Sequence, residues 1–222
     1  MAANGPHIVL ASRSPQRWNL LRDIVGEGRI VAMPARSSEE AGFEGLRDWS
    51  ALEARQCEIT RTKFDDVLDQ CTKNPEPSHT AILAADTIIV VSEADDSLHV
   101  LGQPPTDNSW PNTVRDWFEK YYFGRIHWAM SSICAAQLTE DGTELNTVER
   151  IVKSEVTFTE DSRRWLDWYL ATGEPKGKSG GYGIQGLGSL FVGQVVGSIS
   201  NVVGLPLRET VEILEELDFP IN

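Results

Sequence analysis

Three features of the sequence predict an α/β fold. The apolar run HIVLA (7–11) leads straight into a helix-start signal, as a strand feeding a helix does. The segment TAILAADTIIVVS (80–92) is apolar at nearly every position, the pattern of a central strand covered on both faces. Amphipathic helical stretches then alternate irregularly with further strands, without repeats or low-complexity segments. At 222 residues the chain is read as one domain, 1–222, long enough to bury a sizeable core.

Taken in order, 7–11 is a buried strand. Ser14 is a good N-cap and Pro15 suits the first helical position, with Trp18, Leu21, Ile24 and Val25 on one face. Gly26 and Gly28 stop that helix. RIVAMPA (29–35) is a second strand ended by Pro34, and the polar RSSEEAGFEG (36–45) is a loop. A helix covers 48–70, and TKNPEPSH (72–79) is a surface loop before the central strand. The turn EADDS (93–97) leads to LHVLG (98–102), completing a hairpin. QPPTDNSWPN (103–112) is irregular, and a helix covers 114–122. Two strands, 125–138 and 146–159, flank the turn TEDGTEL (139–145). Thr159 caps the helix EDSRRWLDWYLAT (160–172), which Gly173 terminates. GEPKGKSGGYGIQGLG (173–188) is a glycine-rich loop and SLFVGQVVGSIS (189–200) a strand pair. The terminal helix, 205–217, carries Leu207, Val211, Leu214 and Leu217 on one face.

A net charge of −13 argues against nucleic-acid polymers and anionic membranes as partners. Any anionic ligand must be held by a local positive site, and small anions carrying a divalent cation suit that best. Cys57, Cys71 and Cys134 form no CxxC pair, so a reduced, cytoplasmic chain is expected. The first residues lack the pattern of a signal peptide, and no window reaches 18 apolar residues.

Three places carry chemistry. In LASRSPQRWNLL (10–21) a strand turns into a helix whose free N–H groups, with Ser12, Ser14 and Arg17, would serve phosphate oxygens. A capped helix with surface arginines explains the stretch equally well. Asp86 is read as ending the best strand, at its mouth, and is followed by Thr87; a carboxylate there would bind a divalent metal or take a proton from water, and a buried aspartate capping neighbouring backbone is the other reading. The glycine-rich loop lets backbone approach a flat ligand, Lys178 supplies a phosphate contact, and Gln185 has a donor and an acceptor for a base edge. Glu39 and Glu40 read first as a solvated loop face and second as metal ligands. His127 reads as a core histidine, and the seven tryptophans as packing.

LASRSPQRWNLL, AADTIIV and TGEPKGKSGGYGIQGLGSLFV…NVVGLPL together resemble the Maf family of nucleoside triphosphate pyrophosphatases, over almost the whole chain. The resemblance implies a mixed twisted sheet with two lobes around a deep cleft, similar to inosine triphosphate pyrophosphatases, and a homodimer. It implies hydrolysis of a nucleoside triphosphate between the α- and β-phosphates with Mg²⁺ or Mn²⁺. By position Asp86 matches the catalytic aspartate, and Ser12, Ser14 and Arg17 the phosphate-binding SxSPRR motif. Lys63 and Lys178 match family lysines, and Glu40 (or Glu39) a glutamate that joins Asp86 at the metal. The family's specificity positions are here Gln16, Thr87 and Gln185; Thr87 and Gln185 match the dTTP/UTP subgroup. Gln16 matches neither subgroup, and Gln16 and Gln103 stand where the family has an arginine and a lysine. Losing one charge-assisted phosphate contact costs about 1.5–3 kcal/mol, so efficiency and base choice are where this chain is expected to differ. One rival reading is a pyrophosphatase of the same fold acting on purine or modified nucleotides; the other, a nucleotide-binding regulator of cell division or shape without efficient turnover, has no use for the aspartate.

Overall fold

The computed structural model describes residues 5–37, 41–76 and 78–221. Strand β1 (His7–Leu10) runs into helix α1 (Pro15–Val25). The Ser14 Oγ accepts the Arg17 N–H, and Pro15 begins the helix, as the sequence signal predicts. Strand β2 (Ile30–Ala32) follows. Helix α2 (Trp49–Lys73) is capped by the Asp48 carboxylate, which accepts the Ala51 N–H. Strands β3 (His79–Ser92) and β4 (Leu98–Leu101) form the expected hairpin.

Helix α3 (Trp110–Trp117) then continues through a π-helical turn, Phe118–Tyr122. Strands β5 (Ile126–Leu138) and β6 (Glu144–Phe158) pair antiparallel over almost their full lengths. A 3₁₀ segment, Glu160–Trp165, opens into α4 (Leu166–Thr172), closed by Gly173 in the left-handed region. Strand β7 (Val192–Val196), α5 (Ile199–Val203) and α6 (Leu207–Glu216) complete the chain.

All seven strands belong to one mixed sheet, ordered β2-β1-β3-β5-β6-β7, with β4 on β3. Since β5 occupies one edge of β3, β1 and β4 must share the other. Strand β1 pairs parallel with His79 to Leu83, and β4 antiparallel with Ile89 to Ser92. The backbone between them, 84–88, has no strand beside it on that edge. This gap in the sheet is the floor of the cleft, and Asp86 and Thr87 lie in it.

Helix α2 covers one face on both sides of the gap: Phe64 and Val67 pack with Val9 and Ile82, and Leu52 with Ile88 and Val90. On the other face α1 and α6 cover the β1 half, and an aromatic cluster around Phe118, Tyr122, Phe158 and Phe191 covers the β4 half.

Several expectations give way. Helix α3 starts at Trp110, inside the segment read as irregular, because Pro111 sits in its first turn, where no N–H is needed. Thr159 makes no side-chain cap; its carbonyl instead accepts the Ser162 N–H and hydroxyl. Residues 189–200 hold one strand rather than two, since Ser198 turns the chain into α5 by capping the Asn201 N–H. The buried face of α6 is Thr210, Ile213 and Leu214, with Leu217 beyond; Leu207 and Val211 are only half-buried.

Candidate active site

The gap in β3 opens into a cleft of about 770 Å³, within the range of small-molecule sites. The turn after β1 and the start of α1 form one wall, with Ser12, Ser14, Gln16 and Arg17. The glycine-rich loop forms the facing wall with Lys178 and Gln185. Lys63 reaches in from α2, and Gln103 stands at the end of β4. Glu39 and Glu40 lie outside the described residues.

Asp86 is the centre of this arrangement. Lys63 Nζ donates to its Oδ1 at 2.7 Å, and the Arg17 guanidinium lies 3.6 Å from the same oxygen. Gln56 Nε2 donates to the other oxygen, Oδ2, at 3.1 Å. The Asp86, Lys63 and Arg17 side chains are only 15%, 18% and 13% exposed. Burial pushes the Asp86 pKa up. The Arg17 and Lys63 charges and the Lys63 and Gln56 hydrogen bonds outweigh it and hold the carboxyl below its ordinary value. Alternation along β3 aims Asp86 at α2 and Thr87 at the opposite face.

Thr87 Oγ1 lies within hydrogen-bond distance of Ser131 Oγ (2.7 Å), the Gly204 carbonyl (3.2 Å) and Arg17 (3.4 Å). Arg17 Nε also donates to the Gly204 carbonyl at 3.0 Å, and its Nη1 to Ser12 Oγ at 3.3 Å. The guanidinium is thus fixed between α1, β3 and the turn after α5. A hydroxyl has one proton and two lone pairs, and these three partners use them all. Ser14 is similarly committed, accepting the Arg17 N–H and donating to Gln16 Oε1 at 3.0 Å. Of the first-turn amides, Arg17 N–H goes to Ser14 Oγ and Trp18 N–H to the Ser14 carbonyl. Pro15 has none, so Gln16 N–H is the donor left for a ligand.

The facing wall is shaped by Glu174, whose carboxylate accepts the Leu187 and Gly188 N–H groups at 2.8 and 3.1 Å. A Cβ on Gly186 would lie 2.6 Å from that carboxylate and would make the Glu174 side chain shift. Gly180, at φ +69°, sits against Tyr122 and Ile89, and its carbonyl accepts the Tyr122 hydroxyl at 2.8 Å. Lys178 Nζ folds back onto the Glu174 carbonyl. His127 is fully buried against Tyr182 Oη at 2.9 Å, and burial lowers its pKa to about 3, as suits a core histidine.

Gln56, Ser131, Glu174 and Gly204 were not singled out from sequence. Gln56 had one available signal: it lies seven residues before Lys63, on the same face of α2.

A family model described as Maf-like protein matches residues 7–217. The chain belongs to the Maf family. Among its relatives is a protein of Anaeromyxobacter dehalogenans named dTTP/UTP pyrophosphatase, 34% identical over 97% of this chain and 96% of the relative. Proteins of the same name from a Chelativorans species (34% identical, 93% of this chain, 89% of the relative) and Symbiobacterium thermophilum (31%, 96% and 95%) are similar over comparable spans. The mixed sheet with its cleft is the architecture expected of a Maf protein. No helix among the described residues is long and apolar enough to cross a membrane.

Among the described residues, a divalent cation fits this Maf site through one carboxylate shared with a substrate. Among the described residues no three acidic, imidazole or thiol groups cluster as a resident cage. Glu174, the other acidic residue among the described residues that line the cleft, is engaged by loop N–H groups. Mg²⁺ commonly takes one or two carboxylates together with substrate phosphates, and Asp86 offers such a carboxylate.

Proposed function

We propose that this chain hydrolyses nucleoside triphosphates between the α- and β-phosphates, releasing a monophosphate and pyrophosphate, with dTTP and UTP as its substrates. The observation that carries the reading is a carboxylate kept ionised between two cations at the break in the sheet, facing a glycine-rich wall across one cleft. The names of the relatives support both the reaction and the bases.

Asp86, ionised at neutral pH, takes the proton of the water that attacks the α-phosphorus. Lys63, Arg17 and Lys178 hold the phosphate oxygens, and the Ser12 hydroxyl and Gln16 N–H add neutral donors. Phosphoryl transfer depends chiefly on positioning and electrostatic stabilisation, which fixed cations and N–H groups provide. A Mg²⁺ or Mn²⁺ held by Asp86 with the nucleotide's own oxygens, and by Glu40 or Glu39, would neutralise charge on the leaving pyrophosphate. Gln185 reads the base, because its carboxamide presents a donor and an acceptor to the pyrimidine edge. Thr87 serves by fixing Arg17, since its hydroxyl has no capacity left for a base.

The test is a panel of nucleoside triphosphates assayed for pyrophosphate with Mg²⁺ and with Mn²⁺. Equal yields of monophosphate and pyrophosphate, fastest with dTTP and UTP, are expected. Tight nucleotide binding without pyrophosphate release refutes the enzyme reading, and a purine preference refutes the substrate assignment.

A further inference from the structure

We propose that Gln56 is a positioning residue for Asp86: its side-chain amide holds the carboxylate in the orientation that leaves Oδ2 available to the attacking water. The inference rests on Asp86 being the proton acceptor.

The two oxygens of Asp86 have unlike surroundings. Oδ1 faces both cations, Lys63 at 2.7 Å and Arg17 at 3.6 Å. Oδ2 has one protein donor among the described residues, the neutral Nε2 of Gln56 at 3.1 Å. A carboxylate between two cations lowers its energy by offering one oxygen to each, as a bridging pair. That geometry would place a cation on each oxygen and leave neither basic enough to serve water well. A donor fixed on the α2 side of Oδ2 opposes the rotation. Because it is neutral, it takes one lone pair and leaves Oδ2 the more basic of the two oxygens.

The second observation is the poor fit of Gln56 to its surroundings. It is completely buried on the inner face of α2, one turn from Leu52 and Ile59. Its Oε1 has no hydrogen-bond partner among the described residues. A buried acceptor without a partner destabilises the fold, and an apolar side chain of the same size would avoid the loss. Local rules are broken in this manner where a site requires it, and among the described residues Nε2 on Asp86 is the only hydrogen bond this amide makes.

Gln56→Met and Gln56→Asn in the full chain test the proposal. Met keeps the volume and removes the donor; Asn keeps an amide one methylene too short to reach Oδ2. Steady-state pyrophosphate release from dTTP and the melting temperature are measured for both. Both variants are expected to lose about tenfold in kcat, near the upper end of what one neutral hydrogen bond supplies. KM should stay within about twofold, and the Met variant should melt no lower than the parent. A kcat within twofold of the parent in either folded variant overturns the proposal. So does a fall in both kcat and melting temperature of the Met variant, because that is the signature of packing. Asp86→Asn, assayed alongside, separates the two levels. If it is active, the base assignment fails and this inference with it; if it is inactive while both Gln56 variants run normally, Gln56 alone is refuted.

Discussion

Asp86→Asn removes one negative charge from between Lys63 and Arg17 while keeping the side chain's shape. Asn Oδ1 still accepts from Lys63. Its new N–H₂ group meets Gln56, whose Oε1, now without a partner, accepts it once the amide turns over. The fold should therefore tolerate the change. Catalysis should not: loss of a positioned proton acceptor lowers kcat about 10²- to 10⁴-fold, or roughly 3–5 kcal/mol of barrier. Binding should move the other way. Arg17 and Lys63 lose the Asp86 carboxylate from between them, and the negative charge that repels the triphosphate at the floor of the cleft is removed. Kd for metal-free dTTP in EDTA should tighten about tenfold, the low end of one charge-assisted hydrogen bond. Pyrophosphate release and calorimetric titration measure the two effects on one preparation. A variant that keeps more than about a tenth of the parental kcat would refute the reasoning, as would dTTP bound more weakly without metal. The folded pKa of Asp86 is depressed, so its stabilising contribution is present above the unfolded value of 3.8 and is lost as pH falls through the lower folded value. The stability gap between parent and Asp86→Asn should accordingly shrink in that acid window.

Thr87→Val removes the hydroxyl shared by Arg17, Ser131 and Gly204. It should lower kcat/KM by about tenfold for every nucleotide alike; a loss confined to thymine and uracil substrates would make Thr87 a base reader. Gln185→Ala should instead narrow the ratio of dTTP to dCTP turnover by about tenfold and leave kcat for the poorer substrate unchanged. Gly180→Ala places a Cβ 2.6 Å from Tyr122 Oη and 2.8 Å from Ile89 at φ +69°. About 2–4 kcal/mol of stability should be lost, read as a melting point lower by roughly 5–15 °C. His127, with a pKa near 3 folded and 6.5 unfolded, makes the unfolded chain bind more protons between those values, so it destabilises the fold as pH falls. His127→Gln should reduce the pH slope of urea-unfolding free energy between pH 6 and 4 by about 1.4 kcal/mol per pH unit.

Where a signal is local, the sequence was legible. Ser14 before Pro15 sets the start of α1, Gly173 the end of α4, and the unbroken apolar run the central strand. Pro111 misled, because proline reads as loop unless the helix around it is already known. The single strand β7 was taken for two because Ser198 resembles a turn residue as readily as a cap. In the site, residues with unusual chemistry beside glycine or proline were visible. Their supports were not. Thr87 meets Gly204 across more than a hundred positions, and Gln56 meets Asp86 across thirty. Only the pairing of β3 with both β1 and β4 explains why Asp86 escapes the core.

A 25-residue helix and a 14-residue strand run without interruption beneath both walls. Swinging one wall toward the other would require bending that rigid keel, since neither element has a break at the floor. The aperture is therefore set by the backbone in advance. Any adjustment of the cleft's shape then falls to rim side chains, among them Gln16, Gln103 and Gln185.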